Sequence, residues 1–161
     1  MGESDRGEGH PLDFGVLLNL AGVVFIDALH QRLADEGFDG FTVRGGLLLR
    51  SLGDDALSLR ELADRIGLSS PGALKAIEPM VRAGLVERVK AEDKRVRAVR
   101  VTDRGHAALA CAAAFHAEFE ASLAAQVGSD DAAATRRTLA ALVERGSPHL
   151  PQTLTPHDNR P

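Results

Sequence analysis

Apolar positions fall into periodic blocks separated by glycine, proline and charge. From about Leu12 to Glu36, Leu17, Leu18, Val23, Val24, Phe25, Ile26, Leu29 and Leu33 wrap around more than one face of a helix. One stripe can meet its own domain and another a partner chain, although a helix buried centrally in one domain shows the same pattern. Arg44 to Leu52 reads as a short helix on Leu47, Leu48 and Leu52, ended by Gly53-Asp54-Asp55. Its Gly45 and Gly46 fit close packing or domain rotation, or simply weaken the helix. Ser58-Leu-Arg-Glu61 is a capping-box pattern that starts a helix at Leu59, with Leu62, Ala63 and Ile66 as its buried stripe and Gly67 as the turn. The next helix opens with Ser70 as N-cap and Pro71 at the first helical position, and Gly84 closes it. Pro79 removes the bond to the Lys75 carbonyl inside that helix and predicts a kink or a restart at Glu78.

Two helices joined by a short glycine-containing turn form the helix-turn-helix pattern, which also occurs in bundles unrelated to DNA. Behind it, Leu85 to Lys90 and Arg97 to Thr102 are short extended runs flanking the polar tetrad Ala91-Glu-Asp-Lys94, a hairpin turn. Val99 and Val101 share one face, and Arg100 and Thr102 the other. Thr102 then caps an alanine-rich helix to about Val127, and a break at Gly128-Ser-Asp-Asp131 leads into a last helix to about Arg145. Residues 1–11 and 147–161 have no periodic apolar positions and read as tails.

Charge sharpens this picture. The 161 residues carry a formal net charge of -4. Residues 44–105 hold 13 basic and 9 acidic side chains, an excess of +4 that leaves -8 elsewhere. Seven basic residues (Arg88, Lys90, Lys94, Arg95, Arg97, Arg100, Arg104) face three acidic ones (Glu92, Asp93, Asp103) between residues 88 and 104. The positive part therefore coincides with the helix-turn-helix and hairpin, as phosphate contact requires; a solvated, aggregation-resistant edge also needs charge, but not beside a helix-turn-helix.

Other chemistry is sparse. The single cysteine, Cys111, excludes an intramolecular disulfide, has no basic neighbour in sequence and reads as a buried, inert thiol. His10, His30, His106, His116, His149 and His157 show no i,i+4 pairing, so no metal is expected. No glycine-rich phosphate loop, G-x-S-x-G elbow or zinc signature is present, so neither an enzyme nor a cofactor is expected. The most apolar run, Val16 to Ile26, spans eleven residues interrupted by Asn19. That is short of the ~20 that cross a bilayer, and the N-terminus is acidic rather than basic. The expectation is a cytoplasmic protein without a membrane span.

The string LSLRELADRIGLSSPGALKAIEPMVRAGLVERV from Leu57, followed by DKRVRAVRVTDRG from Asp93 to Gly105, resembles the MarR family of winged-helix transcriptional regulators. The likeness extends over about residues 12–145, with one helix before the module and two after it. It implies a mainly α fold with a small β-hairpin wing: a winged helix-turn-helix over 42–102 and a helical dimerisation platform from 12–41 and 103–146. It further implies a homodimer on double-stranded DNA whose recognition helices enter successive major grooves of a pseudo-palindromic operator, about 34–36 Å apart. On this likeness Ser69, Ser70, Gly72, Ala73, Lys75 and Ala76 occupy the exposed early turns of the recognition helix. Lys94, Arg95 and Arg97 belong to the wing, with Arg95 reaching the minor groove and Asp93 fixing the wing structure. Leu74 and Ala76 stand where the family often carries a small hydroxyl residue and an arginine, which implies that one polar interaction with DNA is missing.

Family precedent also implies a repressor released by a small aromatic or anionic effector bound between platform and winged helix. His30, Phe41 and Arg44 are the nominated lining, an arginine near aromatic side chains suiting an aromatic carboxylate. Against these, His30 reads equally as a surface residue and Phe41 as core. The alternative function is a winged-helix protein-interaction module with weak or lost DNA binding.

Overall fold

A computed structural model describes residues 12–90 and 97–146. Both tails and the hairpin tip lie outside these residues. Among the described residues, six helices and three short strands follow in the order α1 (Phe14–Asp35), α2 (Val43–Leu52), β1 (Leu57–Ser58), α3 (Leu59–Ile66), α4 (Ser70–Arg82), β2 (Val86–Lys90), β3 (Arg97–Val101), α5 (Asp103–Val127) and α6 (Ser129–Gly146). The strands form one antiparallel sheet in the order β1-β3-β2. β2 and β3 pair Val86 with Val101 and Lys90 with Arg97, as the two extended runs predict. β1 pairs Leu57 with Val99 on the other edge. This third strand escapes sequence reading because two residues carry no periodicity.

The core gathers Leu48, Leu49 and Leu52 from α2, Leu62 from α3, Ile77 and Met80 from α4, Val99 and Val101 from β3, and Ala108 and Ala112 from α5. The glycines of α2 serve close packing. A Cβ at Gly45 would lie 2.9 Å from Met80 Cε, and one at Gly46 2.9 Å from the Phe41 ring. Both glycines are buried, so they admit α4 and Phe41 against the helix.

The start of α5 is seated just as tightly. Thr102 Oγ1 accepts from the Gly105 amide at 3.0 Å and donates to the Gly84 carbonyl at 2.6 Å. The Thr102 amide donates to Leu85 O at 3.1 Å. A Cβ at Gly105 would stand 2.2 Å from that same Leu85 oxygen and 2.7 Å from Val101 Cγ1. The Thr-x-x-Gly spacing thus joins the α4–β2 turn, the sheet and α5 at one point.

α1 contributes only Leu29 and Leu33 to the buried set. Phe14, Val16, Leu17, Leu20, Val23 and Val24 are exposed, Val24 by 63%. At 22 residues, with a mean hydropathy of 1.5 over its best 18-residue window, α1 is long and apolar enough to cross a membrane. The eleven-residue run understates it, because the helix carries its apolar character beyond Ile26 through Leu29 and Leu33. Arg32 ties α1 to α5 through a two-nitrogen contact with Glu118 at 3.1 and 3.3 Å. Arg136 ties α6 to α5 through Glu120 at 2.8 Å.

Gly105→Ala is expected to destabilise the protein by about 1–3 kcal/mol, since the obstructing atom is backbone and cannot swing aside. Urea denaturation with an unchanged slope and a lowered midpoint would show it.

Candidate nucleic-acid interface

The helix-turn-helix is built as its local chemistry dictates. Ser58 Oγ accepts from the Glu61 amide at 3.2 Å, and Glu61 Oε2 accepts from the Ser58 amide at 2.8 Å, completing the capping box. Hydrogen bonding of the ionised carboxyl to the Ser58 side chain and backbone holds Glu61 below its ordinary pKa. Gly67 closes α3 in the left-handed region at φ 68°, where a side chain would be strained. Arg65 donates to the Ser51 carbonyl at 3.0 Å, tying α3 to the end of α2.

The helix start differs by one residue from the sequence expectation. Ser69, not Ser70, is the N-cap of α4, with its Oγ accepting from the Gly72 amide at 3.3 Å. Pro71 consequently occupies the second helical position, still among the first four residues whose amides have no helical acceptor. Nor does Pro79 break the helix: α4 is continuous from Ser70 to Arg82. Pro79 and Lys75 both lie on the exposed side, where solvent can satisfy the carbonyl that the proline leaves unbonded.

Of the nominated recognition residues, Ser69, Ser70 and Lys75 are exposed and Gly72 and Ala76 half-buried. Ala73 is fully buried beneath the helix with Ile77 and Met80, and so cannot belong to an outward contact face. The helical period puts Ala73, Ile77 and Met80 on one side and turns Pro71, Leu74, Lys75 and Glu78 away from it. Among the described residues Lys75 has no ion-pair partner.

Among the described residues, two of the basic residues around the hairpin are ion-paired. Arg88 meets Glu78 of α4 at 3.4 Å, and Arg100 meets Glu87 at 2.6 Å. These pairs are half exposed, hence weak, and phosphate can exchange for the carboxylates. Arg104 is exposed but folds back onto the protein surface. Its guanidinium donates to the Gly37 and Ala83 carbonyls and lies 5.3 Å from the centre of the Phe38 ring. It clamps the corner after α1 to the end of α4, a role that composition alone, which counts it as surface charge, does not reveal. Asp93, Lys94 and Arg95 lie outside the described residues, as does the side chain of Arg97.

The effector nominees are placed separately. Phe41 is core, 6% exposed and packed on Gly46, while Arg44 is exposed at the start of α2. His30 is half-buried and, among the described residues, its Nε2 has no hydrogen-bond partner. A hollow of about 470 Å³ among the described residues is lined by Asp54, Glu87, Arg100, Asp103, Arg104 and His106, and by none of the three. Phe25 of α1 instead meets Phe115, His116 and Phe119 of α5, with ring centres 5.0–5.6 Å apart. Cys111 is half-buried rather than buried, and the tertiary structure brings the Arg32 charge near it although no basic residue is near in sequence.

A family profile described as winged helix-turn-helix DNA-binding matches residues 48–87, which span the end of α2 to the start of β2. Solved structures cover nearly the whole described chain. A MepR–DNA complex from S. aureus is 20% identical with a TM-score of 0.62, covering 83% of this chain and all of that one. The transcriptional regulator MosR from M. tuberculosis, in complex with DNA, is 25% identical with a TM-score of 0.55, covering 85% and 98%. The fold is that of the MarR-type winged helix-turn-helix regulators. CouR, a transcriptional repressor bound to a 23-mer duplex, shares this MarR-type fold at 23% identity and a TM-score of 0.59, covering 81% and 92%. No curated protein matches the chain.

Burial and the positive charge of Arg50 push the His116 imidazole below its ordinary pKa. The unfolded chain therefore takes up this proton first, and stability falls as pH drops from about 6.5 through the depressed value. His116→Gln is expected to flatten that part of the stability–pH curve, measured by urea denaturation between about pH 7.5 and 5.

Proposed function

We propose that the protein is a dimeric, sequence-specific DNA-binding transcriptional repressor, released from a pseudo-palindromic operator by a small aromatic or anionic effector. The observation that carries the DNA-binding core of this reading is α4. It presents Lys75, without an ion-pair partner among the described residues, on an exposed face beside the basic hairpin strands, and its buried side is locked to α2 and the sheet. The DNA complexes formed by MepR, MosR and CouR support the same reading. Ser69, Ser70, Gly72, Lys75 and Ala76 form or support the recognition surface, and Lys94, Arg95 and Arg97 the wing, with Asp93 holding its shape.

Exposed apolar α1 supports the homodimer. A bilayer would also accept its hydropathy, but the Arg32–Glu118 contact holds α1 against α5 as part of the same folded unit. Packing α1 and α6 of two copies together removes Val23, Val24, Leu139 and Leu142 from water. The effector site is assigned to the region between platform and winged helix, with His30 and Arg44 as its polar groups; Phe41 is core and does not line it. An arginine in this region supports an anionic ligand, and the unpartnered Nε2 of His30 supports a polar one. This reading puts the protein in the cytoplasm with its operator.

The test is a titration of the full chain against the DNA flanking its own gene, across salt, with a scrambled duplex as control. Specific binding that weakens with salt is expected. Arg95→Ala or Lys75→Ala should each shallow the log–log salt slope by about 0.9 for every phosphate that is no longer neutralised. Paired Val23→Glu and Val24→Glu changes should convert a sedimenting dimer to monomer and weaken binding to a two-half-site duplex. Absence of binding to either duplex would favour the protein-interaction module.

A further inference from the structure

The outward side of α4 is poor in hydrogen-bonding groups. Between Ser69 and Glu78 only Ser69, Ser70 and Lys75 carry a side-chain donor, and Ser69 Oγ is already engaged as the N-cap. Glu78 is held by Arg88 and Arg82 at 3.4 and 3.9 Å. The remaining outward positions are apolar: Pro71 and, one turn later, Leu74, whose large side chain is 38% exposed although a core lies directly beneath the helix. Leu74 stands next to unpaired Lys75, so any duplex drawn to that ammonium brings base edges to the leucine. Among the groups displayed in the major groove, the thymine C5-methyl is the one that an aliphatic side chain recognises; every other distinguishing group is a donor or an acceptor.

We propose that Leu74 is a specificity-determining residue that reads the C5-methyl group of a thymine in each half-site. The inference rests on the DNA-binding reading and adds the chemistry by which α4 selects sequence. Lys75 and the wing supply affinity through phosphates, and Leu74 contributes by excluding water from the methyl group. Removing one such methyl is worth about a four-fold loss of affinity per half-site, the equivalent of one buried methylene.

The experiment selects duplexes from a randomised pool with the full-length protein, then replaces each enriched thymine by deoxyuridine, which lacks only the methyl. At one position per half-site, the wild-type protein is expected to lose about four-fold in affinity per replacement. Leu74→Ala, which keeps a strong helix former at a partly exposed site, is expected to bind thymine and deoxyuridine duplexes equally with an unchanged salt slope. Leu74→Met is expected to retain methyl sensitivity. Enriched duplexes that bind equally well with deoxyuridine and with thymine, or a Leu74→Ala protein that still loses affinity on methyl removal, would overturn the assignment while leaving DNA binding intact. A pool with no enriched sequence would overturn sequence-specific recognition itself, and Leu74 with it.

Discussion

The architecture hinges on how closely the backbone of α5 passes the Leu85 carbonyl. Gly105 leaves no room there for a Cβ, and one residue, Thr102, uses its hydroxyl in both directions, toward Gly84 and toward the α5 amide. That junction sets the sheet, the end of the recognition helix and the long α5 helix at a fixed angle. Arg104 adds a second clasp beside it, holding the corner after α1 and the end of α4.

The same construction leaves two kinds of exposed surface. One is apolar and extended, on the N-terminal half of α1 and on α6. The other is small and mixed, with Lys75, Leu74 and Pro71 beside the strands of the hairpin. The first demands burial, because contiguous exposed aliphatic side chains are costly in water. The second is suited to intermittent contact: its charges are half-solvated, and its ion pairs are weak enough to be exchanged.

Much of this is legible from local chemistry. The capping box at Ser58, the glycine turn at Gly67, the Thr102 cap and the alternation of β3 are short-range patterns, and each recurs in the structure because its cause lies within a few residues. Local rules err where two residues compete for one role. Ser69 and Ser70 are both competent caps, and the structure uses Ser69, with Ala73 and Ile77 turned into the core. Pro79 does remove a helical bond, but the loss falls on a solvated face and the helix passes through it.

The order of elements, their ends and the placement of positive charge on the helix-turn-helix and wing are properties of the chain alone, since they follow from propensity, capping and composition. Which charges are free and which glycines are obligatory is fixed only when the segments pack. Arg88, Arg100 and Arg104 are equivalent in a charge count, yet two hold carboxylates and the third holds carbonyls across 21 and 67 residues of chain. Gly45, Gly46 and Gly105 look like helix defects until α4, Phe41 and Leu85 are placed against them. Such contacts depend on how separate elements pack against one another, over sequence separations from 5 residues for Gly46 and Phe41 to 67 for Arg104 and Gly37, and capping or propensity within one element does not encode them.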